Sequence, residues 1–193
     1  MSEITKLPKL KPIVMLYSGG ADSALMLKLA QMSGRDPFCI LIDYGQKHIE
    51  ELEFAERQLR NNGVYYQVVT IKDYNVESGL TGEGVKGLYE GVSIYNVPAR
   101  NTIMLSIAAG IAESKKINEV WIGSDMSDYY GDFPDCKQEY IGKINQVYQI
   151  AFSYPIRVIA PLLGFEKEII IEMLKTSFNI DIESIYTGYR EFS

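Results

Sequence analysis

Short apolar runs alternate with longer stretches of helical period along this 193-residue chain. The run Ile13-Val14-Met15-Leu16-Tyr17 predicts a first strand, and Ala24-Leu25-Met26-Leu27-Lys28-Leu29-Ala30 predicts a helix over residues 23–32. A second strand is expected at residues 38–43, followed by an amphipathic helix over Ile49–Asn61, where Leu52, Ala55 and Leu59 recur at helical spacing. Residues 65–71 read as a third strand, and residues 79–91 are glycine-rich and too irregular for a core element. Helical period returns at residues 99–115, with Ile103, Ile107, Ala108 and Ile111 on one stripe. The remaining pattern predicts strand at 119–123, helix at 138–150, strand at 156–160 and helix over Lys167–Thr176. Such alternation implies an α/β fold, a doubly wound, Rossmann-like parallel sheet of about five strands with helices on both faces. No repeat, low-complexity tract or linker divides the chain, so residues 1–193 are expected to form a single domain.

Composition narrows the function chiefly by exclusion. The net charge is −6 and no basic run is present, a poor match for nucleic-acid binding, which rests on Lys and Arg neutralising phosphates. A small-molecule substrate and no direct nucleic-acid partner are therefore expected. No stretch approaches the roughly 18 consecutive apolar residues of a membrane span, and the first residues are polar, so a cytoplasmic protein with no membrane partner is expected. The two cysteines, Cys39 and Cys136, supply neither a disulfide framework nor a four-ligand zinc set. Cys39 lies inside an apolar strand and reads as a small core residue.

Between the first strand and its helix stands Ser18-Gly19-Gly20-Ala21-Asp22-Ser23. Adjacent glycines allow a sharp turn and close approach of backbone to a ligand. The first N–H groups of the following helix point into such a turn, where the helix dipole favours an anion. Ser18 and Ser23 add hydroxyls, and Asp22 adds an acceptor suited to magnesium or to capping the helix. A phosphate chain is the expected guest; the alternative is a flexible turn with Asp22 as a cap. Neither G-x-x-x-x-G-K-[ST] nor G-x-G-x-x-G is present here, and the turn carries no lysine. Other polar clusters follow later strands: Asp43-Tyr44-Gly45-Gln46 after the second, and residues 124–137 after the fourth. In open α/β sheets that edge is where ligands bind.

These blocks resemble the pyrophosphatase-loop ATPases, whose signature is S-G-G-x-D-S after the first strand, and more specifically the 7-cyano-7-deazaguanine synthase family. The matching residues are 18–23, Asp43-Tyr44-Gly45-Gln46-Lys47-His48, Val97-Pro98-Ala99-Arg100-Asn101, residues 123–128 and Pro134-Asp135-Cys136-Lys137, with a weaker match at Pro161-Leu162-Leu163 before Lys167-Glu168. The resemblance implies a fold of the adenine nucleotide alpha-hydrolase type, ATP and magnesium as cofactors, and a carbon–nitrogen ligase activity on a deazapurine acid and ammonia. It also allows a homodimer. Three departures stand out. No cysteine follows Cys136, so the zinc site usual in that family is not expected. The segment Gly131-Asp132-Phe133-Pro134 is one residue longer than the family's G-Y-P, and Lys137 replaces a usual Arg. An enzyme stopping at the amide, another pyrophosphatase-loop ligase or tRNA thiolase, and a non-catalytic nucleotide sensor all remain open at this point.

By this resemblance Ser18, Gly19, Gly20, Asp22 and Ser23 hold the phosphates, with Asp22 on magnesium, and Ile42 and Asp43 lie beside adenosine. Position alone equally allows Asp43 a helix cap or a loop salt bridge. Asp22, Ser23 and Arg100 are the candidate catalytic residues. Arg100 suits a phosphate or carboxylate through paired hydrogen bonds, and Asn101 suits a heterocycle edge. Asp128, Asp135 and Lys137 complete the candidate substrate set, with the two carboxylates suited to base-like donors; the alternative is a solvated acidic loop. Cys136 reads as pocket-shaping rather than nucleophilic, since His48 alone is available to activate it. Lys167 is read equally as a phosphate ligand and as a solvated lysine at a helix start.

Overall fold

Five strands, β1 (Lys11–Leu16), β2 (Arg35–Asp43), β3 (Tyr66–Thr70), β4 (Glu119–Trp121) and β5 (Arg157–Ile159), pair in parallel in the order β3-β2-β1-β4-β5 in a computed structural model. The structure describes residues 10–45, 49–72, 97–126, 133–182 and 185. The chain steps outward from β1 to β3, then returns to place β4 on the other side of β1. The order therefore reverses between β1 and β4, the place where open α/β sheets bind ligands beyond the strand ends.

Helices α1 (Ala21–Met32), α2 (Ile49–Asn61), α3 (Arg100–Ser114) and α4 (Gln138–Ala151) lie in the crossovers, and α5 (Lys167–Thr176) follows the last strand. Successive side chains of a strand point to opposite faces, and β1 divides the core accordingly. Ile13 and Met15 pack with Leu25 and Met26 of α1, Ala55 and Leu59 of α2, and Ile170 and Leu174 of α5. Val14 and Leu16 face the other way, into Leu105, Ala108, Ala109 and Ala112 of α3 and Ile141, Ile144 and Tyr148 of α4. The expected doubly wound sheet is present. Cys39 is fully buried, and burial pushes its thiol up to about 12, consistent with a core residue that carries no thiolate at neutral pH.

The α3 stripe needs correction. Isoleucines at 103, 107 and 111 are only partly buried, while the fully buried line is Leu105-Ala108-Ala109-Ala112. Small side chains let the helix axis approach β1 closely, so the bulky residues move to its flanks. Hydroxyl pairs then dock α4 on α3, Thr102 with Tyr140 at 2.9 Å and Ser106 with Tyr148 at 3.1 Å. Edge strand β5 is fastened by Asn145, whose side chain donates to the Val158 carbonyl at 2.9 Å and accepts the Val158 N–H at 2.7 Å.

The turn after β1 uses its glycines unequally. Gly19 has φ +84°, a left-handed conformation, whereas Gly20 is extended at φ −75°, ψ 173° and opens α1 as its N-cap. A Cβ on Gly19 would stand 2.9 Å from the Ala55 Cβ of α2. Backbone strain and the clash act together, so Gly19→Ala is expected to lower unfolding free energy by about 2 kcal/mol, measured by urea titration. A loss below about 0.5 kcal/mol contradicts the tight packing of this turn on α2.

Candidate active site

Residues 18–23 bend around the carboxyl end of β1 beside the switch in strand order. The Tyr17 N–H still bonds to the Ile40 carbonyl of β2 at 2.9 Å, so the chain leaves the sheet only at Ser18. Buried Ser23 donates its hydroxyl to the Gly20 carbonyl at 2.9 Å, and the Ala24 N–H bonds the same oxygen at 2.9 Å, closing the first helical turn. Exposed Ser18 reaches the Ser23 hydroxyl at 3.4 Å and accepts the Gly20 N–H at 3.4 Å. The opening N–H groups of α1 lack intrahelical acceptors by geometry and carry the positive end of the dipole.

The Asp22 carboxylate, in the first turn of α1, reaches across to another helix. Both of its oxygens lie 2.6 Å from the Lys167 ammonium at the start of α5. The same ammonium donates to Asp125 at 3.3 Å. Asp125 follows β4 and is 1% exposed. Gly123 lies against Asp22, a Cβ there standing 3.4 Å from the Asp22 Cβ, at van der Waals contact. Burial alone would lower the Lys167 pKa, but Asp22 and then Asp125 outweigh it, and the net shift is upward. The loop has no lysine of its own, yet the fold brings it one from 145 positions away.

A second polar group gathers at the N-terminus of α3. Ala99, its cap residue, sits at φ 56°, ψ 16°, a left-handed conformation that an alanine adopts only under constraint. Asp135, on a 3-10 turn at Pro134–Cys136, accepts the Asn101 N–H at 3.0 Å and so caps the helix through space. The buried Asn101 amide donates to the Asp135 carbonyl at 3.3 Å and to the Cys136 sulfur at 3.2 Å. Burial disfavours the charge of Arg100, but Tyr44, by charge interaction and a hydrogen bond, and then Asp135 and Cys136 more than offset it. The guanidinium thus stays charged beneath the loop that follows β2. Asp135 and Asn101 were both read as substrate ligands; here they also bind one another.

Asp43 accepts the Gly45 N–H at 3.2 Å, folding the segment after β2 into a turn, while Ile42 is buried against the α3 side of the sheet. Lys137 is half-buried, ends the 3-10 turn and starts α4 with its carbonyl accepting the Ile141 N–H at 3.1 Å. Asp128, His48, the extra residue of the 131–134 segment and the 79–91 stretch lie outside the described residues. A separate cleft of about 480 Å³ lies behind α1, lined by Tyr17, Lys28, Arg57 and Asp181 among others, and takes in none of residues 18–23. Two partners were missing from the candidate set. Asp125 lies within the 124–137 polar cluster, just past β4 at the switch point, and nothing in the sequence singles it out there. Tyr44 was noted only within its motif.

A parallel β3-β2-β1-β4-β5 sheet with a glycine turn at the switch point defines an adenine nucleotide alpha-hydrolase-type domain, and solved structures share it. The U34-tRNA thiolase NcsA from Methanococcus maripaludis superposes with a TM-score of 0.59 at 16% identity, over 95% of this chain and 62% of the longer thiolase. The NH3-dependent NAD synthetase from Campylobacter jejuni gives 0.56 at 21% identity, over 96% and 72%. At these identities the likeness extends to the fold alone. Sequence relationship goes further. The profile of the family described as queuosine biosynthesis protein QueC matches residues 12–192, and the chain belongs to that family. Similar proteins named 7-cyano-7-deazaguanine synthase include those of Psychromonas ingrahamii, 34% identical over 93% of this chain and 84% of the relative, and of Coxiella burnetii, 36% identical over 94% and 84%.

Proposed function

We propose that this protein uses ATP to convert 7-carboxy-7-deazaguanine and ammonia into 7-cyano-7-deazaguanine through an adenylated carboxylate. Membership of the QueC family supports the substrate class. The observation that carries the chemistry is the glycine turn at the β1–β4 switch point, with the Asp22–Lys167–Asp125 cluster closed over it. The acid's carboxylate oxygen attacks the α-phosphorus and pyrophosphate leaves. Ammonia then displaces AMP at the acyl carbon, giving the amide. A second ATP adenylates the amide oxygen with loss of pyrophosphate, and that oxygen departs with AMP as the nitrogen gives up its two protons and the C–N triple bond forms.

The chain's own groups divide this work. N–H groups at the start of α1, with Ser18 and Ser23, bind the departing phosphates, and the Lys167 ammonium offsets their charge. Arg100 orients the acid's carboxylate, held charged for that purpose by Tyr44 and Asp135. The donor set also suits magnesium. Asp22 offers hard carboxylate oxygens at a partly exposed position, and among the described residues no group of three or more His, Cys, Asp or Glu is placed to form a closed metal site. A single carboxylate, completed by phosphate oxygens and water, is how magnesium is commonly held, and the bound ion would draw charge from the phosphates.

Mass spectrometry tests the reading directly. Incubation with 7-carboxy-7-deazaguanine, ATP, magnesium and ammonium is expected to yield a product lighter than the amide by one water. Amide as the final product would restrict the activity to the first half, and an untouched acid would overturn the assignment.

A further inference from the structure

We propose that Asp125 is a positioning residue that keeps the Lys167 ammonium beside the phosphate turn when Asp22 is drawn away to a nucleotide's cation. Lys167 has two carboxylate partners, and they differ in kind. Asp22 lies closer, at 2.6 Å, but its side chain is 22% exposed. Asp125 lies farther, at 3.3 Å, yet its side chain is 1% exposed. An exposed carboxylate can exchange one cation for another, because water solvates it in between. A buried one cannot release its counter-charge without a large desolvation penalty. Burial, rather than distance, therefore decides which pair persists. Asp125–Lys167 is the standing pair, and Asp22 is the partner that changes.

The backbone supports this division. Asp125 is followed directly by Met126, whose N–H bonds to the Phe165 carbonyl at 3.0 Å, two residues before Lys167. The segments bearing the buried carboxylate and the lysine are thus tied together independently of the side chains. Asp22 belongs to a different element, α1. When Asp22 leaves, the ammonium still has N–H donors to spare for phosphate oxygens while Asp125 holds it in place.

Asp22→Asn imitates the departure of the exchangeable partner, so the test needs no nucleotide. Lys167 acylation by an amine-reactive reagent, followed by peptide mass spectrometry, is expected to be as slow in D22N as in the wild type, and at least about tenfold faster in the D22N/D125N double variant, a change equivalent to about 1.4 kcal/mol. Release of Lys167 by D22N alone, to the rate of the double variant, overturns the inference. The single D125N variant, which keeps the Asp22 pair, gives a second measurement. Its affinity for magnesium with α,β-methylene-ATP is expected to fall about tenfold, and affinity equal to the wild type overturns the inference. This second measurement rests on the nucleotide reading above. Wild-type protein that binds no analogue overturns that reading and the nucleotide role of the pair with it, whereas the labelling result reports on the pair itself.

Discussion

Asp22→Asn is expected to lower kcat/KM for the acid by about a thousandfold or more, the scale of losing one preorganised charge at a reacting phosphate. The change keeps side-chain volume and removes only the negative charge. Asp22 stands in the first turn of α1 behind Gly20 as N-cap, so the change leaves the N-cap itself intact. Its loss leaves the Lys167–Asp125 pair in place, so the ammonium does not become an isolated buried charge. Thermal unfolding of the variant should accordingly stay close to that of the wild type. The outcome is read by chromatographic loss of the acid under steady-state conditions alongside a melting curve. Activity within tenfold of wild type would remove Asp22 from the phosphate chemistry, and a collapsed melting curve would mark it as structural.

The opposite substitution strikes stability. Lys167→Met removes the counter-charge of an aspartate that is 1% exposed, and breaking such a pair costs about 3–5 kcal/mol because the remaining charge stays desolvated. Adding Asp125→Asn to the same chain removes that stranded charge and should restore most of the loss. A buried carboxylate without its cation favours its protonated form, so the single variant should be less destabilised at pH 5 than at pH 8. The intact protein behaves differently. Its lysine has a folded pKa above the unfolded value of 10.5, so the stabilisation is complete below that pH and fades only as the solution becomes more alkaline than the lysine's folded pKa. Urea unfolding of wild type, K167M and K167M/D125N checks this. Equal stability of the two variants would show that Asp125 tolerates its charge without the ammonium.

Much of the architecture is legible in the pattern of residues because each element has its own period. Helices α2 and α5 have the expected bounds, since each carries a clean amphipathic stripe between polar ends. Strand starts are less visible. The apolar pattern begins β1 at Ile13 and β2 at Phe38, but the sheet begins at Lys11 paired with Arg35, and passes through Pro37 opposite Ile13. Backbone pairing does not require apolar side chains, and a proline without an N–H reads as a break rather than a strand. For α3 the pattern picks out large residues, whereas close packing on β1 selects alanines.

The glycine turn at residues 18–23 is legible because its residues are contiguous. Its lysine is not, since sequence spacing says nothing of a contact between α1 and α5. One local signal does exist. Lys167 occupies the first position of α5, the end where the helix dipole disfavours a cation, which suggests that carboxylates elsewhere hold it. The Asp135–Asn101–Cys136 cluster is hidden for the same reason, its members being 34 and 35 positions apart.

The separation between Asp22 and Lys167 also orders events during synthesis. A ribosome extrudes the glycine bend early, and 145 further residues must emerge before its ammonium partner arrives. Charge balance between Asp22 and Asp125 is therefore a product of long-range folding, set by a contact that no local segment can form by itself.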